Sequence, residues 1–531
     1  QPFDISSGAA AKLVFSTSPS DATAGVAFPT QPTVEVQDAA GNLVTTYNGS
    51  VTVAIGTNPG GGTLSGTTTV AVSSGQATFA GLSINKSGTG YTLVASSTGL
   101  TSGTSAGFTI SPAAATALAF VATPGNTRAG VSFTNQPAVE AQDAFGNRAT
   151  SFSGAVTLAI KPGTGTVGAA LGGTLTVNAT NGLASFSGLS IDRIGSAYQL
   201  SASAAGLIGV DSAAFNITAN SLTFTLQPVN TIAGQSILVK VAAQDGQGNT
   251  DTSFTGNVTL VLKSTGRNGP TLFGTTTVAA VAGVADFTAA GLNIRTVGAG
   301  YILTATTSSF ADADSNAFAI LPAAASKLVF ITQPTNPRAE AVFTATVQAQ
   351  DQFGNIDTTF TGAVSLAIQA NPGGGMLGGT TSAPATSGVA SFAFAAGLNI
   401  DRVGVGYVLR ASSSSLTGDS APFNVTANRL FFATEPGDTP VGNAFHPALV
   451  VRAVDSFGTV DPTFAGAITL ALMPGTGTAG ASLRGTSALA AQAGSASFGR
   501  VSIDRLGAGY QLTASAAGFS TITSAAFNIT H

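Results

Sequence analysis

The sequence repeats itself about every 105 residues, and this repetition limits the possible folds more than any other feature. The segment 34–41 returns at 139–146, 241–248, 347–354 and 451–458, each time with Val first, Asp fifth and Gly eighth. Similarity at a long fixed period indicates tandem structural units, and about 105 residues is the size of one small domain. We therefore predict five modules, numbered 1 to 5, at 9–111, 112–218, 219–321, 322–426 and 427–531, which follow a short segment at 1–8.

The hydrophobic pattern inside each module predicts β-strands. In module 1, apolar and polar residues alternate in segments such as 34–36, 51–55 and 108–110, and no segment has the 3.6-residue period of a helix. Gly-Asn and Asn-Pro-Gly-Gly-Gly sequences between these segments supply residues that accept the positive φ of turns. About seven short strands per module is the pattern of an immunoglobulin-like sandwich. The predicted fold class is therefore all-β, with five tandem Ig-like β-sandwich modules of about seven strands each.

The segments between modules are short. Seven residues separate Ile110 from Leu118, and three separate Thr218 from Leu222. Short connections leave neighbouring modules little freedom, so we predict an elongated, semi-rigid rod. With strands of about 8–10 residues that rise about 3.3 Å each, five modules placed end to end would span about 150–200 Å.

Five of the six tyrosines occupy one position of the repeat, after Gly and before a segment of alternating Leu and Ala. They are Tyr91, Tyr198, Tyr301, Tyr407 and Tyr510. A Tyr near the start of a late strand matches the tyrosine corner of Ig-like sandwiches, in which the hydroxyl bonds to the backbone upstream. We therefore interpret these residues as structural.

A repeated Asp precedes the Gly of every copy of the first motif. The five residues are Asp38, Asp143, Asp245, Asp351 and Asp455. A carboxylate at this place can accept a backbone N–H two residues further on, so a structural turn is the predicted role. Three modules carry a second carboxylate six residues later, at Asp251, Asp357 and Asp461. Two neighbouring carboxylates could hold Ca²⁺, which stays open as an alternative.

Composition excludes several classes of function. Only 8% of the residues are charged, whereas about 25% is usual, and the net charge of −4 leaves no basic patch for nucleic acid. The chain has no Cys, which excludes disulfides and thiolate metal sites. No apolar run approaches the roughly 18 residues of a spanning helix, so we expect no transmembrane segment.

One further motif resembles part of a metal site. Asp312, Asp314 and Asn316 alternate as in the start of a calcium loop, but the Gly at the sixth and the Glu at the twelfth position are absent. A solvated loop is the prediction, with Ca²⁺ binding as the alternative. We otherwise predict no cofactor and no metal ligand.

Catalysis is not expected from this sequence. His446 is the only internal histidine and occurs in one module, so any serine or cysteine mechanism that needs a histidine base would depend on it alone. No module contains an element that clearly departs from the repeat. We therefore predict that the chain is not an enzyme and name no catalytic residue.

The first residues look like the end of a module. Pro2, Phe3, Asp4 and Ile5 match the final strand of later modules, such as 422–425. This segment could be the last strand of a preceding module, which is the favoured interpretation. It could also be a strand that is donated to the sheet of another molecule.

Three features together resemble bacterial Ig-like repeats of the invasin and intimin type. They are the Val-x-Val-Gln-Asp-x-x-Gly-Asn motif at 34–42, the Phe-x-Gly-x-Val-Thr-Leu segments at 152–158 and 254–260, and the tyrosine position. The resemblance covers all five modules. It implies an exported protein, extracellular or on the cell surface, with a stalk or adhesive role.

The first functional hypothesis is an extracellular structural repeat protein that forms part of a surface fibre, stalk, sheath or matrix. Faces with so little charge repel one another weakly, which favours self-association into a homo-oligomer or filament. The second hypothesis is the stalk of an adhesin whose recognition domain for host proteins or glycans lies elsewhere. The third is an accessory region of a large secreted enzyme.

Overall fold

Every regular element of the described chain is a β-strand. The computed structural model describes residues 6–263, 269–393 and 397–531, and the prediction of an all-β fold is confirmed in these ranges. They contain no helix long and apolar enough to cross a membrane. The predicted final or donated strand at Pro2, Phe3, Asp4 and Ile5 lies outside the described residues.

The strands form five successive groups, in the order of modules 1 to 5. Module 1 contains β1 (Ala10–Thr17), β2 (Ala22–Thr23), β3 (Thr33–Asp38), β4 (Ser50–Ile55), β5 (Leu64–Ser65), β6 (Thr69–Ala71), β7 (Gln76–Thr78), β8 (Ser83–Ile84), β9 (Gly88–Tyr91), β10 (Leu93–Ser96), β11 (Gly103–Thr104) and β12 (Phe108–Ser111). Module 2 contains β13 (Ala117–Ala122), β14 (Thr127–Arg128), β15 (Ala138–Gln142), β16 (Ala155–Ile160), β17 (Leu171–Gly172), β18 (Thr176–Asn178), β19 (Leu183–Ser185), β20 (Ser190–Ile191), β21 (Gly195–Tyr198), β22 (Leu200–Ser203), β23 (Val210–Asp211) and β24 (Phe215–Thr218).

The remaining groups follow the same order. Module 3 contains β25 (Ser221–Leu226), β26 (Thr231–Ile232), β27 (Lys240–Gln244), β28 (Asn257–Leu262), β29 (Thr277–Ala279), β30 (Val284–Asp286), β31 (Gly298–Tyr301), β32 (Leu303–Thr306), β33 (Ala313–Asp314) and β34 (Phe318–Leu321). Module 4 contains β35 (Lys327–Thr332), β36 (Ala345–Gln350), β37 (Ala363–Ala370), β38 (Leu377–Gly378), β39 (Ser382–Pro384), β40 (Val389–Phe392), β41 (Asn399–Ile400), β42 (Gly404–Ser413), β43 (Leu416–Asp419) and β44 (Phe423–Val425). Module 5 contains β45 (Arg429–Thr434), β46 (Thr439–Pro440), β47 (Leu449–Val454), β48 (Ala467–Leu472), β49 (Leu483–Arg484), β50 (Ala488–Ala490), β51 (Ser495–Phe498), β52 (Ser502–Ile503), β53 (Gly507–Tyr510), β54 (Leu512–Ala516), β55 (Ile522–Thr523) and β56 (Phe527–Thr530).

Each module is a sandwich of two layers. In module 1 the first layer is the antiparallel sheet β1-β3-β7, and the second contains β11-β10-β4-β6. The small sheet β2-β12-β9 continues the second layer, since β9 leads into β10 and β11 leads into β12. Strands β2 and β12 are parallel, so the first and last parts of the module lie side by side. This arrangement is typical of Ig-like sandwiches.

Alternating burial explains the layers. In β3, Val34 and Val36 are fully buried, whereas the residues between them are partly exposed. Successive side chains of a strand point to opposite faces, so this alternation directs one face of each sheet to the core. The described residues form five such cores, one for each module.

The structure contains more strand segments than the roughly seven per module that the sequence predicts. The late strand of module 1 is divided into β9 and β10, and Gly90 in its first half has a φ of +87°. The pairing of β9 with β12 also shifts register at Phe108. Irregularities of this kind interrupt a strand without changing its place in the sandwich. The seven predicted strands therefore correspond to longer paths with bends.

Candidate functional site at the module junctions

The repeated tyrosines anchor a loop at the end of each module. We call the segments 85–87, 192–194, 295–297, 401–403 and 504–506 the junction loops, because the first four contact the next module. The hydroxyls donate to the middle carbonyl of each loop, in the pairs Tyr91 to Lys86 (2.9 Å), Tyr198 to Arg193 (3.1 Å), Tyr301 to Thr296 (2.9 Å), Tyr407 to Arg402 (3.0 Å) and Tyr510 to Arg505 (2.9 Å). Burial raises the pKa of Tyr91 and Tyr407. Each ring therefore joins the core to the junction loop of its own module.

The repeated aspartates organise the partner surface. We call the segments 38–42, 143–147, 245–249, 351–355 and 455–459 the Asp turns. In module 2, Asp143 Oδ1 accepts the N–H groups of Phe145 and Asn147 at 2.9 Å each. Its Oδ2 accepts the Asn147 side chain at 2.8 Å and Ala113 N–H at 3.0 Å. The carboxylate thus closes the turn and also holds the connection that enters the module.

The same hydrogen bonds lower the pKa of four of these carboxyl groups, Asp38, Asp143, Asp245 and Asp455. The side chain and the N–H of Asn42, followed by Gly8 N–H, hold the pKa of Asp38 at about 2, below its ordinary value of 3.8. For Asp143, burial acts in the opposite direction, but its N–H donors still leave the pKa below the ordinary value. Hydrogen bonds to the charged form of a carboxyl group favour that form. The Asp turns of these four residues are therefore held together by ionised carboxylates.

Long and short connections join the modules. Junctions 1/2 and 3/4 have five residues between the last and first strands, 112–116 and 322–326, whereas junctions 2/3 and 4/5 have two and three, 219–220 and 426–428. Junctions with a long connection make one set of contacts between the modules, and junctions with a short connection make another. The lengths can be read from the sequence, but the two kinds of junction that accompany them cannot.

At junction 1/2, the Asn of the Asp turn reaches back to module 1. Asn147 Oδ1 accepts Ser87 N–H at 3.0 Å, and its Nδ2 donates to the carbonyl of Asn85 at 2.9 Å. The ring of Phe145 lies directly on Gly25, where an added Cβ would stand only 2.1 Å from a ring carbon. Asn147 is 6% exposed, so these polar contacts are largely shielded from water.

Junction 3/4 repeats this geometry. Asn355 Oδ1 accepts Val297 N–H at 3.1 Å, and its Nδ2 donates to the carbonyl of Arg295 at 2.7 Å. The ring of Phe353 covers Gly234, where an added Cβ would stand 2.5 Å from it. It also packs against the core of module 3. The guanidinium of Arg295 lies over the same ring at 5.6 Å.

At junctions 2/3 and 4/5, the Asp replaces the Asn as acceptor. Ile194 N–H donates to Asp245 Oδ2 at 3.0 Å, and Val403 N–H donates to Asp455 Oδ2 at 2.8 Å. The side chains of Ile194 and Val403 are 9% and 2% exposed and join the cores of modules 3 and 5. A residue of one module therefore completes the core of the next.

An arginine and a phenylalanine also meet at each of these two junctions. Arg128 lies over the ring of Phe310 at 5.4 Å, and Arg338 lies over the ring of Phe519 at 4.5 Å. Arg338 also donates to the carbonyl of Gly518. A guanidinium within about 6 Å of a ring centroid is attracted to the ring, which adds a second contact across the junction.

The second carboxylates hold the connections between modules. Asp251 Oδ2 accepts the N–H of Ala219 at 2.9 Å, and its Oδ1 accepts the N–H and the hydroxyl of Ser253. Asp357 and Asp461 make the equivalent bonds. Both oxygens of each carboxylate are therefore used by the protein itself. Within the described ranges, no three His, Cys, Asp or Glu residues are grouped as metal ligands.

The residues of the acidic run in module 3, Asp312, Asp314 and Asn316, have separate surroundings in the structure. Asp314 forms an ion pair with Lys263 and accepts the Thr304 hydroxyl at 2.7 Å. Asn316 donates its N–H to Gln227 Oε1 at 2.9 Å, and Asp312 is exposed. The two carboxylate oxygens of Asp314 are thus already bound by Lys263 and Thr304.

His446 lies exposed in the loop before β47. In the described part of the chain, no hydrogen bond joins its ring to a serine or to a carboxylate. The geometry offers no base and nucleophile pair at this position.

Two sets of junction residues were missed by sequence reasoning. The Asn that ends the Asp turn in modules 2 and 4 bridges to the preceding module. The apolar residue that ends the junction loop, Ile194 or Val403, enters the following core. The signals were present, since Gly-Asn recurs in four Asp turns and an apolar residue follows Asp-Arg in three junction loops.

The chain has low similarity to several solved structures. No protein-family model matches the chain, and no curated protein matches it. The chain is similar to the structure of the Escherichia coli adhesin FdeC, with 15% identity over 60% of this chain and 100% of that chain and a TM-score of 0.34. It is also similar to invasin, a bacterial integrin-binding protein, with 14% identity, coverage of 80% and 81%, and a TM-score of 0.25.

A third similar structure contains domains 4–9 of the surface layer protein SbsC. Its identity is 14%, it covers 97% of this chain and 82% of that chain, and its TM-score is 0.23. With identities and TM-scores this low, the function of this chain has to be argued from its own residues.

Proposed function

We propose that this chain is an extracellular structural protein whose docked modules form part of a stalk or fibre. One observation carries the proposal. At all four junctions between the five described cores, the Asp turn of the following module accepts an N–H from the junction loop of the preceding module. A repeated contact of this kind fixes the position of each module on the last one.

The buried and polar contacts together favour an elongated, semi-rigid chain. Hydrogen bonds fix the direction of the contact, whereas the Ile194 and Phe353 side chains add apolar area. The connections of two to five residues leave little slack between neighbouring modules. A chain with this construction holds its two ends apart, which is the task of a stalk.

The proposed extracellular location rests on the motif at 34–42 and its copies, which resembles bacterial Ig-like repeats. We also propose that the chain is not an enzyme. The repeated polar residues hold turns and connections, and the exposed His446 has no catalytic partner in the described ranges. The chemistry of these groups serves folding and docking.

Contacts between copies of the chain belong to the same proposal. The outer face of the second layer carries repeated hydroxyl pairs, Thr52 with Thr69 (2.9 Å), Thr157 with Thr176 (3.0 Å), Thr259 with Thr277 (2.9 Å) and Ser365 with Ser382 (3.2 Å). These exposed groups carry no charge. Faces of this kind lose little solvation energy on contact, which favours weak lateral association that many modules would multiply.

Small-angle X-ray scattering of the full chain tests the stalk. We expect a maximum dimension of about 150–200 Å and the scattering profile of a rod. The double variant Asn147→Ala and Asn355→Ala should scatter as a more flexible, shorter particle on average, because it loses the polar bridges of two junctions. Asn249→Ala is the matched control, since the Asn249 side chain bonds to Asp245 within its own turn. A compact particle for the unmodified chain would contradict the proposal.

Light scattering over a range of protein concentrations tests the contacts between copies. A molar mass that rises with concentration supports lateral association. A constant monomer mass would overturn this part of the proposal and leave the stalk intact.

A further inference from the structure

The contacts across the junctions have a direction that alternates along the chain. Phe145 of module 2 covers Gly25 of module 1, and Ile194 of module 2 enters the core of module 3. Both contributions come from the same module. Module 2 therefore supplies apolar side chains to the neighbours on both of its sides.

Module 4 repeats this behaviour. Phe353 covers Gly234 and packs against the core of module 3, and Val403 enters the core of module 5. Arg128 of module 2 and Arg338 of module 4 also lie on rings of modules 3 and 5, whereas Arg295 of module 3 lies over the Phe353 ring of module 4. Modules 1, 3 and 5 thus receive apolar side chains, and modules 2 and 4 supply them.

Gly25 of module 1 and Gly234 of module 3 lie under a ring of the next module, whereas the equivalent positions of modules 2 and 4 do not. Gly130 of module 2 has no atom within 4 Å of an added Cβ, and Gln247 stands in module 3 where modules 2, 4 and 5 have Phe145, Phe353 and Phe457. The Phe457 ring of module 5 lies beneath Arg402 rather than on a glycine. In module 4 the position equivalent to the glycine is Glu340. Among the described residues, the Asp turns of modules 2 and 4 alone place a ring on the glycine of the module before.

We propose that modules 2 and 4 act as clamps that stabilise the modules on both sides of them, so that the stability of modules 1, 3 and 5 depends on side chains of their neighbours. For modules 3 and 5 the physical reason is that the nearly buried Ile194 and Val403 side chains contribute to the core they contact. For module 1 it is the contact of the Phe145 ring, which is 40% exposed, with Gly25. This dependence concerns stability and stands whether or not the chain is a stalk.

Hydrogen exchange of the full chain, read by mass spectrometry for each module, tests the proposal. Ile194→Ala should lower the protection of the slowest amides of module 3 by at least about tenfold, because it leaves a cavity in that core. The protection of module 2, which carries the substitution, should change by less than about twofold. Val403→Ala should act in the same way on module 5 and leave module 4 unchanged.

Leu506→Ala is the matched control, because Leu506 occupies the same place in the junction loop of module 5 and is 37% exposed. It should leave the protection of all modules close to that of the unmodified chain. Loss of protection in module 2 after Ile194→Ala, with module 3 unchanged, would overturn the proposal. Equal losses in both modules would also overturn it, because the side chain would then belong to a shared unit.

Discussion

Replacing Gly234 by Ala should destabilise module 3 much more than the same replacement of Gly130 destabilises module 2. The two glycines occupy equivalent places and have φ values of +79° and +73°. An added Cβ at Gly234 would lie 2.5 Å from Cζ and 2.6 Å from Cε2 of Phe353. An added Cβ at Gly130 would have no other atom within 4 Å. The pair of variants therefore separates backbone strain from the contact with the ring.

The backbone cost is common to both variants. An Ala with a left-handed φ costs about 1–2 kcal/mol relative to Gly. At Gly234 the ring of Phe353 must also retreat by about 1 Å to reach the usual carbon separation of about 3.5–4 Å. Overpacking of this kind costs about 1–3 kcal/mol more. We expect a total loss of about 1–2 kcal/mol for Gly130→Ala and about 2–5 kcal/mol for Gly234→Ala.

Hydrogen exchange of the full chain measures both values in separate modules. Since about 1.4 kcal/mol corresponds to a tenfold change, protection in module 3 should fall about 5- to 150-fold further than protection in module 2. Gly234→Ala should also release the amides around Phe353 in module 4. Equal losses for the two variants would refute the inference that the ring of Phe353 rests on Gly234.

Three further results are expected. Phe145→Ala should lower the protection of module 1 more than that of module 2 in the same exchange experiment, and the opposite order would contradict the direction of the contact. Acid should destabilise module 1, because hydrogen bonds lower the pKa of Asp38 to about 2 in the folded state. This stabilisation is present above about pH 4 and is lost as the pH falls towards 2, so a melting temperature of module 1 that is the same at pH 4 and at pH 2 would contradict it. Addition of Ca²⁺ or of a chelator should leave the thermal unfolding curve unchanged, since the oxygens of Asp251 and Asp314 already bind protein groups, and a rise in melting temperature with Ca²⁺ would revive the metal site.

The layers and cores of the modules follow directly from patterns that are local in the sequence. Alternation places Val34 and Val36 in the core, and the repeated position of Tyr91 marks a late strand of the module. These features depend on residues that are close together in the chain. They can therefore be predicted from the amino-acid sequence alone.

The junctions depend on residues that are far apart in the sequence. Asn147 and Asn85 are 62 residues apart, and nothing in either local pattern indicates that they meet. The group that accepts the N–H of the junction loop is Asn147 at junction 1/2 and Asp245 at junction 2/3. This change accompanies the change in connection length from five residues to two. The sequence predicts the Asp turn that carries these residues, but only as a turn within its own module. It does not predict the hydrogen bond to the preceding module.

The acidic run of module 3 shows that a local sequence pattern can also suggest a site that the structure does not form. Asp312, Asp314 and Asn316 suggest shared ligation because they alternate, as residues on one face of a strand do. Only the three-dimensional structure shows Lys263 and Thr304 beside Asp314. A partner from a neighbouring strand can change the role of a carboxylate without any sign in its own segment.

A distance measurement between two modules tests the docked junction most directly. The chain has no native Cys, so spin labels can be attached at Val167→Cys in module 2 and Val281→Cys in module 3, which are 94% and 77% exposed. Pulsed electron spin resonance should give one narrow distance distribution, because Ile194 and Arg128 fix module 3 on module 2. A broad distribution in the unmodified junction would contradict the account that the modules dock.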